Sequence, residues 1–141
     1  MELYVDQLIH ATPMRVANVM FDPTTEPEWI ANTQSVEVLT PGPLAVGSRI
    51  RRVGGMLGRS FAWVSEVTVL EPDRRLEMKI IEGPFHGTVI YETVPGAGGA
   101  VAIVHAKPDP NAPNPAPKWA PKREMLEDLK RLGREVMHPH A

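Results

Sequence analysis

The hydrophobic pattern of this chain changes period once, and late. For most of its length, apolar and polar residues alternate in short runs, the two-residue period of half-buried β-strands. Past residue 117 apolar residues recur every three or four positions instead, the period of an amphipathic helix. Between the two regimes, residues 108–117 (PDPNAPNPAP) are half proline and carry no apolar period. That segment reads as a semi-extended connector. Such a chain must bury one apolar sheet face, and it offers a single long helix to cover it.

The elements follow from local chemistry. Residues 2–9 alternate through Leu3, Val5 and Leu8 and predict a first strand. Thr12 then Pro13 is an N-cap followed by proline at the first helical position. Met14, Ala17, Val19, Met20 and Phe21 continue at helical spacing until Asp22-Pro23 stops the helix. A second short turn over residues 26–30 presents Trp29. Strands are predicted over residues 35–39, 48–53, 60–70, 75–81, 85–94 and 101–107. In the longest, Phe61, Trp63, Ser65, Val67 and Val69 fall on one face; in the next, Leu76, Met78 and Ile80 do. The 15 prolines and 11 glycines mark the turns between them: Pro41-Gly42-Pro43, Gly54-Gly55 with Gly58, Glu71-Pro72-Asp73, Gly83-Pro84 and a loose turn over residues 95–99. Strands this short and this regularly spaced form an antiparallel meander rather than βαβ units. The terminal helix spans residues 118–137, with Met125, Leu129, Leu132 and Val136 in one stripe. Lys122, Arg123, Glu127, Asp128, Lys130, Arg131 and Arg134 are assigned to the opposite face.

The expected fold is α+β and a single domain over residues 1–141. A curved antiparallel sheet of six to seven strands wraps around the long C-terminal helix, with two short helices after the first strand. Phe21, Trp29, Phe61, Trp63, Met78, Tyr91, Met125 and Leu129 then converge on the interior. One helix does not fill a strongly curved sheet, which leaves room for a pocket between them.

Composition closes off other classes. The formal net charge of −2 gives no basic face for nucleic acid. The absence of cysteine removes disulfides, thiolate zinc sites and thiol chemistry. No apolar run approaches the roughly 20 residues that span a bilayer, and the N-terminus lacks the pattern of a signal peptide. The expectation is a cytoplasmic protein with no membrane insertion and no cofactor. A homodimer is left open. No metal-binding helix motif is present, and GGMLG lacks the Lys-Ser/Thr of a phosphate loop.

Four stretches in order carry a family resemblance: FDPTTEPEWI (21–30), VEVLTPGPLAVGSRIR (36–51), EVTVLEPDRRL (66–76) and YETVPGAGGAV (91–101). They resemble, in turn, a helix pair ending in a buried tryptophan, a strand–turn–strand unit with a "gPxxvGs" turn, a strand with a Glu-Pro turn and an Arg-Leu re-entry, and a strand with a Gly-rich turn. Gly99-Ala100 stands where the pattern usually has Gly-Thr. Together the set resembles the START-related superfamily of the Bet v 1 type, and within it the polyketide cyclase/dehydrase and lipid-transport group. The resemblance implies a helix-grip fold with a hydrophobic ligand cavity. It does not fix an activity, since its members include aromatase/cyclases and lipid or hormone carriers.

Several residues are candidates for chemistry. His86 and His105 fall in predicted strands and would act as bases if they faced the pocket, or sit as structural or solvent-facing histidines if not. His10 ends the first strand and is a weaker candidate. Tyr91 offers a hydroxyl on an apolar ring, suited to a pocket wall or to ordinary core packing. Arg49 and Arg51 share one strand face; Arg52 takes the face of Ile50, and if Ile50 points inward so does Arg52. A buried arginine needs an acidic partner or an anionic ligand, and Glu66, Glu82 and Glu92 are the candidates. The alternative is a solvated strand face with cross-strand ion pairs. Trp119 would cap a cavity mouth or pin the start of the helix. The leading expectation is binding of a small hydrophobic molecule (a polyketide, lipid or aromatic metabolite), with Phe21, Trp29, Phe61, Trp63, Met78, Tyr91, His105, Trp119, Met125 and Leu129 as ligand-binding residues. The first alternative is a metal-free cyclase or dehydratase using Tyr91, His86 or an Arg52–Glu pair, which requires at least two of these groups in one pocket. The second is a regulatory or toxin-like interaction protein, which requires a filled core and an exposed apolar patch.

Overall fold

The computed structural model describes residues 2–56, 58–111 and 122–138. Seven strands form one antiparallel sheet: β1 (Leu3–Ile9), β2 (Thr33–Val38), β3 (Arg49–Met56), β4 (Arg59–Glu71), β5 (Arg75–Glu82), β6 (Gly87–Gly96) and β7 (Gly99–Pro108). Their order across the sheet is β1-β7-β6-β5-β4-β3-β2. Strands β2 to β7 are thus a continuous meander, and β1 closes on the far edge by pairing β7 over its whole length, from Leu3 opposite Ala106 to Ile9 opposite Ala100. The sheet curls into a half-barrel. Between β1 and β2 lie α1 (Pro13–Met20), a 3-10 turn (Pro23–Thr25) and the single-turn α2 (Glu26–Trp29); α3 (Lys122–Met137) comes last. The architecture is the helix-grip α+β fold.

Capping accounts for the helix pair. The Thr12 side chain accepts a hydrogen bond from the Arg15 N–H at 3.2 Å, with Pro13 opening α1, and Asp22 Oδ1 caps the next turn by accepting from Thr24 N–H. The α3 stripe of Leu129, Leu132 and Val136 is buried, and the helix packs against β1, α1 and α2. Burying each such side chain stabilises the fold by about 1.5–3 kcal/mol. The core around it joins Val5 and Ile9 of β1, Val16 and Met20 of α1, and Ile50, Val67 and Leu76 of the sheet.

Several boundaries differ from the sequence reading. Gly54 and Gly55 continue β3 rather than forming a turn, and Met56 pairs with Arg59. The turn between β6 and β7 is tight, not loose: Gly96 pairs with Gly99, leaving Ala97 and Gly98, with Gly98 at φ +79°. A bulge at Thr68 shifts the register, so Val69 stands opposite Glu77 and Leu70 opposite Leu76. Leu70, not Val69, therefore continues the inward face. Pro108 ends β7, so the connector begins one residue later, and residues 112–117 of it, like Trp119, lie outside the described residues. Asp128 is buried rather than on the solvent face of α3. It stands three residues after Met125 and four before Leu132, within the inward stripe.

Candidate functional site

A cavity of about 180 Å³ opens between the inner face of the sheet, α2 and α3. One wall is aromatic. Phe61, Trp63 and Phe85 form a mutual cluster with ring centroids 5.4–5.7 Å apart. The lining also holds Trp29, edge-on to the Tyr91 ring at 5.7 Å. Met78 from β5 and Met125 from α3 complete the apolar lining. Two glycines set the position of Trp63. A Cβ at Gly54 would lie 2.8 Å from the Trp63 ring, and one at Gly83, held at φ +136°, would lie 2.7 Å from the Trp63 Cβ. The indole is wedged where only glycine leaves room.

The polar end of the cavity is built on Arg52. Its Nε and Nη2 donate to the two carboxylate oxygens of Glu26, each at 2.7 Å. Its Nη1 donates to Ser65 Oγ at 3.2 Å, and Nη2 also reaches Met78 Sδ at 3.2 Å. Arg52 and Glu26 are 4% and 1% exposed. Burial alone would lower the guanidinium pKa, but the charge and hydrogen bonds of Glu26 raise it beyond the ordinary arginine value. The pair is a bidentate buried ion pair, and four of the five guanidinium N–H groups are engaged.

Tyr91 lies beside this pair at 5% exposure and lines the same cavity. Burial first, and then the Glu26 charge, push its phenol well above the ordinary tyrosine range, against the pull of Arg52. Its hydroxyl is a neutral donor. Among the described residues it has no hydrogen-bond partner, although a buried hydroxyl left unpaired costs about 1–3 kcal/mol.

The rim of the cavity is stitched by α3. Asp128 Oδ1 accepts from the Ala31 N–H at 3.1 Å and from Arg131 Nη2, while Arg131 Nε donates to the Trp29 carbonyl at 3.2 Å. Burial raises the Asp128 carboxyl, and the Ala31 N–H and Arg131 oppose it. Asn32 Nδ2 donates to Glu124 Oε2 at 3.3 Å. Among the described residues no three His, Asp or Glu side chains gather as a metal centre would need.

The structure thus brings Arg52, Trp29, Phe61, Trp63, Met78, Tyr91 and Met125 to one cavity. Phe21 and Leu129 are buried in the adjoining core without lining it. Two histidines are corrected. His105 opposes Ile90 and Tyr4 on the outer face of the sheet and pairs with Glu2 at 2.9 Å, because the β7 residues that face inward are its neighbours Val104 and Ala106. His86 precedes β6, which begins at Gly87, and its carbonyl accepts from Asp109 N–H; it does not line the cavity. His10 is exposed at the end of β1, its Nδ1 3.4 Å from the Gly98 carbonyl.

The acidic partner is also corrected. Glu66 pairs with Arg49 and Glu92 with Arg75, both on the outer side, and Glu82 is exposed. Glu26 takes the role instead. The signal was present: in a single helical turn Glu26 sits three residues before Trp29, so an inward Trp29 brings Glu26 with it.

A family model described as polyketide cyclase/dehydrase and lipid transport matches residues 2–138. The chain belongs to this family. Among solved structures, the fold is shared with the Zhui aromatase/cyclase from Streptomyces sp. R1128, at 18% identity and a TM-score of 0.78, covering 97% of this chain and 93% of that one. A protein from Thermus thermophilus matches at 17% identity and a TM-score of 0.78 over the whole of both chains. The ginseng major latex-like protein 151 from Panax ginseng matches at 12% identity and a TM-score of 0.74 over 97% of each. At these identities the likeness is one of fold. No curated protein matches the chain by sequence.

Proposed function

We propose that this member of the family binds one small, mostly apolar molecule in the cavity between the sheet and α3. The observation that carries this reading is the contrast within one lining: an aromatic and Met-rich wall with a buried Tyr91 hydroxyl that has no hydrogen-bond partner among the described residues, beside the buried Arg52–Glu26 ion pair. Apolar walls with a few placed polar groups are the usual build of a small-molecule site. A filled core, which an interaction protein of this fold would show, is not what the interior holds. Isothermal titration and native mass spectrometry against a broad library of apolar compounds test the reading. Saturable one-to-one binding, with a change in tryptophan emission from Trp29 and Trp63, is the expected result; no binding from any compound overturns it.

A second reading is favoured by one specific observation. Tyr91 and the Arg52–Glu26 pair share the pocket, the convergence that a cyclase or dehydratase requires. In that reading Tyr91 donates a hydrogen bond to a substrate ketone oxygen and favours its enol form. Turnover of a β-keto substrate that is lost in Tyr91→Phe while ligand affinity survives supports catalysis; binding without turnover leaves a carrier.

A further inference from the structure

The chemistry of the cavity narrows its occupant, on the reading that it binds a ligand at all. The guanidinium of Arg52 would ordinarily recruit an anion, but here both carboxylate oxygens of Glu26 already hold it at 2.7 Å. The unit carries no net charge, and an incoming carboxylate would lose its hydration to meet a second carboxylate, that of Glu26. What remains unengaged at this end is donor capacity: the Tyr91 hydroxyl, one N–H of Arg52 Nη1, and the Ser65 hydroxyl proton, none of which has an acceptor among the described residues. Such a site rewards a neutral acceptor and penalises both an anion and a group that cannot accept.

Size and shape narrow it further. At about 180 Å³ the cavity is smaller than the roughly 300–1,000 Å³ of sites for drug-sized ligands. It is close to the ~150 Å³ that admits a benzene ring. The lining is aromatic, with Trp29, Phe61, Trp63 and Phe85, and includes the flexible Met78 and Met125, a composition that suits an aromatic ring. We infer that the occupant is a neutral, planar, single-ring compound bearing a carbonyl oxygen, seated with that oxygen toward Tyr91 and Arg52, and that anionic rings and long acyl chains are rejected.

Four probes of graded chemistry test this by calorimetry or ligand-observed NMR: acetophenone, its isostere α-methylstyrene in which CH₂ replaces the carbonyl oxygen, benzoate, and decanoate. The expected order is acetophenone tightest, α-methylstyrene about tenfold weaker, as loss of one buried hydrogen bond gives, and benzoate and decanoate weaker still. In Tyr91→Phe the preference for acetophenone over α-methylstyrene collapses while α-methylstyrene binding persists, which also shows that the variant is folded. Equal affinity for acetophenone and α-methylstyrene, or tightest binding of benzoate or decanoate, overturns this inference and leaves ligand binding itself standing. Failure of all four, together with failure of the broad library, overturns both.

Discussion

Arg49 and Arg52 stand on the same strand, β3, three residues apart, and meet carboxylates on opposite faces of one sheet. Arg49 pairs with Glu66 at 3.2 Å, with the arginine side chain 56% exposed. Arg52 pairs with Glu26 at 2.7 Å, with its side chain 5% exposed. The outer pair is screened by water and costs little to lose. The inner pair has given up its hydration and cannot be broken on one side without stranding a charge. Identical chemistry thus plays two roles, and the face of the strand decides which. The outer pair is a solvated cross-strand contact; the inner one is the polar floor of a cavity and ties α2 to the sheet.

The comparison is broken most severely by removing one inner partner. Glu26→Leu and Arg52→Met, made singly, are each expected to destabilise the protein by about 3–5 kcal/mol in chemical denaturation. A double replacement, Glu26→Leu with Arg52→Met, should recover most of that loss, giving a large coupling in a double-mutant cycle. Additive losses from the two single changes would show that the pair is not coupled.

A smaller effect is expected at the glycine that seats Trp63. Gly83→Ala places a methyl against the Trp63 Cβ at a φ of +136°, and should cost about 1–3 kcal/mol with a shift in tryptophan emission. An unchanged emission spectrum would mean the indole is not wedged as described.

The Tyr91 phenol gives a pH signature. Its pKa is raised in the folded state, against an unfolded value of about 10. Its contribution to stability is therefore fully present below about pH 10, and is lost as pH rises through the folded value. Of the two tyrosines, Tyr91 should ionise in ultraviolet titration only well above the ordinary range or on unfolding, and Tyr91→Phe should remove that late step and weaken the alkaline loss of stability. A Tyr91 that titrates in the ordinary range would contradict its burial.

The smallest effect belongs to the outer face. In a double-mutant cycle of Arg49→Ala and Glu66→Ala, the coupling should stay below about 1 kcal/mol and shrink with added salt. A coupling comparable to the inner pair would erase the distinction between the two faces.

The fold was legible because it rests on period: alternation marks the strands and the 3.6-residue stripe marks α3. The errors fell where period is locally interrupted. The bulge at Thr68 moves Val69 out of the inward set. The charge of Asp128 suggests the solvent face, whereas its spacing from Met125 and Leu132 places it inside. The apolar cavity wall was legible for the same reason, since inward strand positions are also lining positions. Inwardness of Arg52 followed from Ile50, yet its partner came from α2, not from a neighbouring strand. Pairing between a one-turn helix and a strand residue 26 positions away is a tertiary fact that strand alternation does not encode. The histidines show the reverse limit: His105 lies in the expected strand, but a parity of one residue sets it on the outer face.

The most direct test of the site is a crystal structure with 4-bromoacetophenone, whose bromine can be located by anomalous scattering. The expected result is a single bromine peak near Phe61, Trp63 and Phe85, with the carbonyl oxygen within hydrogen-bond distance of the Tyr91 hydroxyl and the Arg52–Glu26 pair unbroken. A bromine peak outside the cavity, or a ligand whose carbonyl points away from Tyr91, would contradict the account.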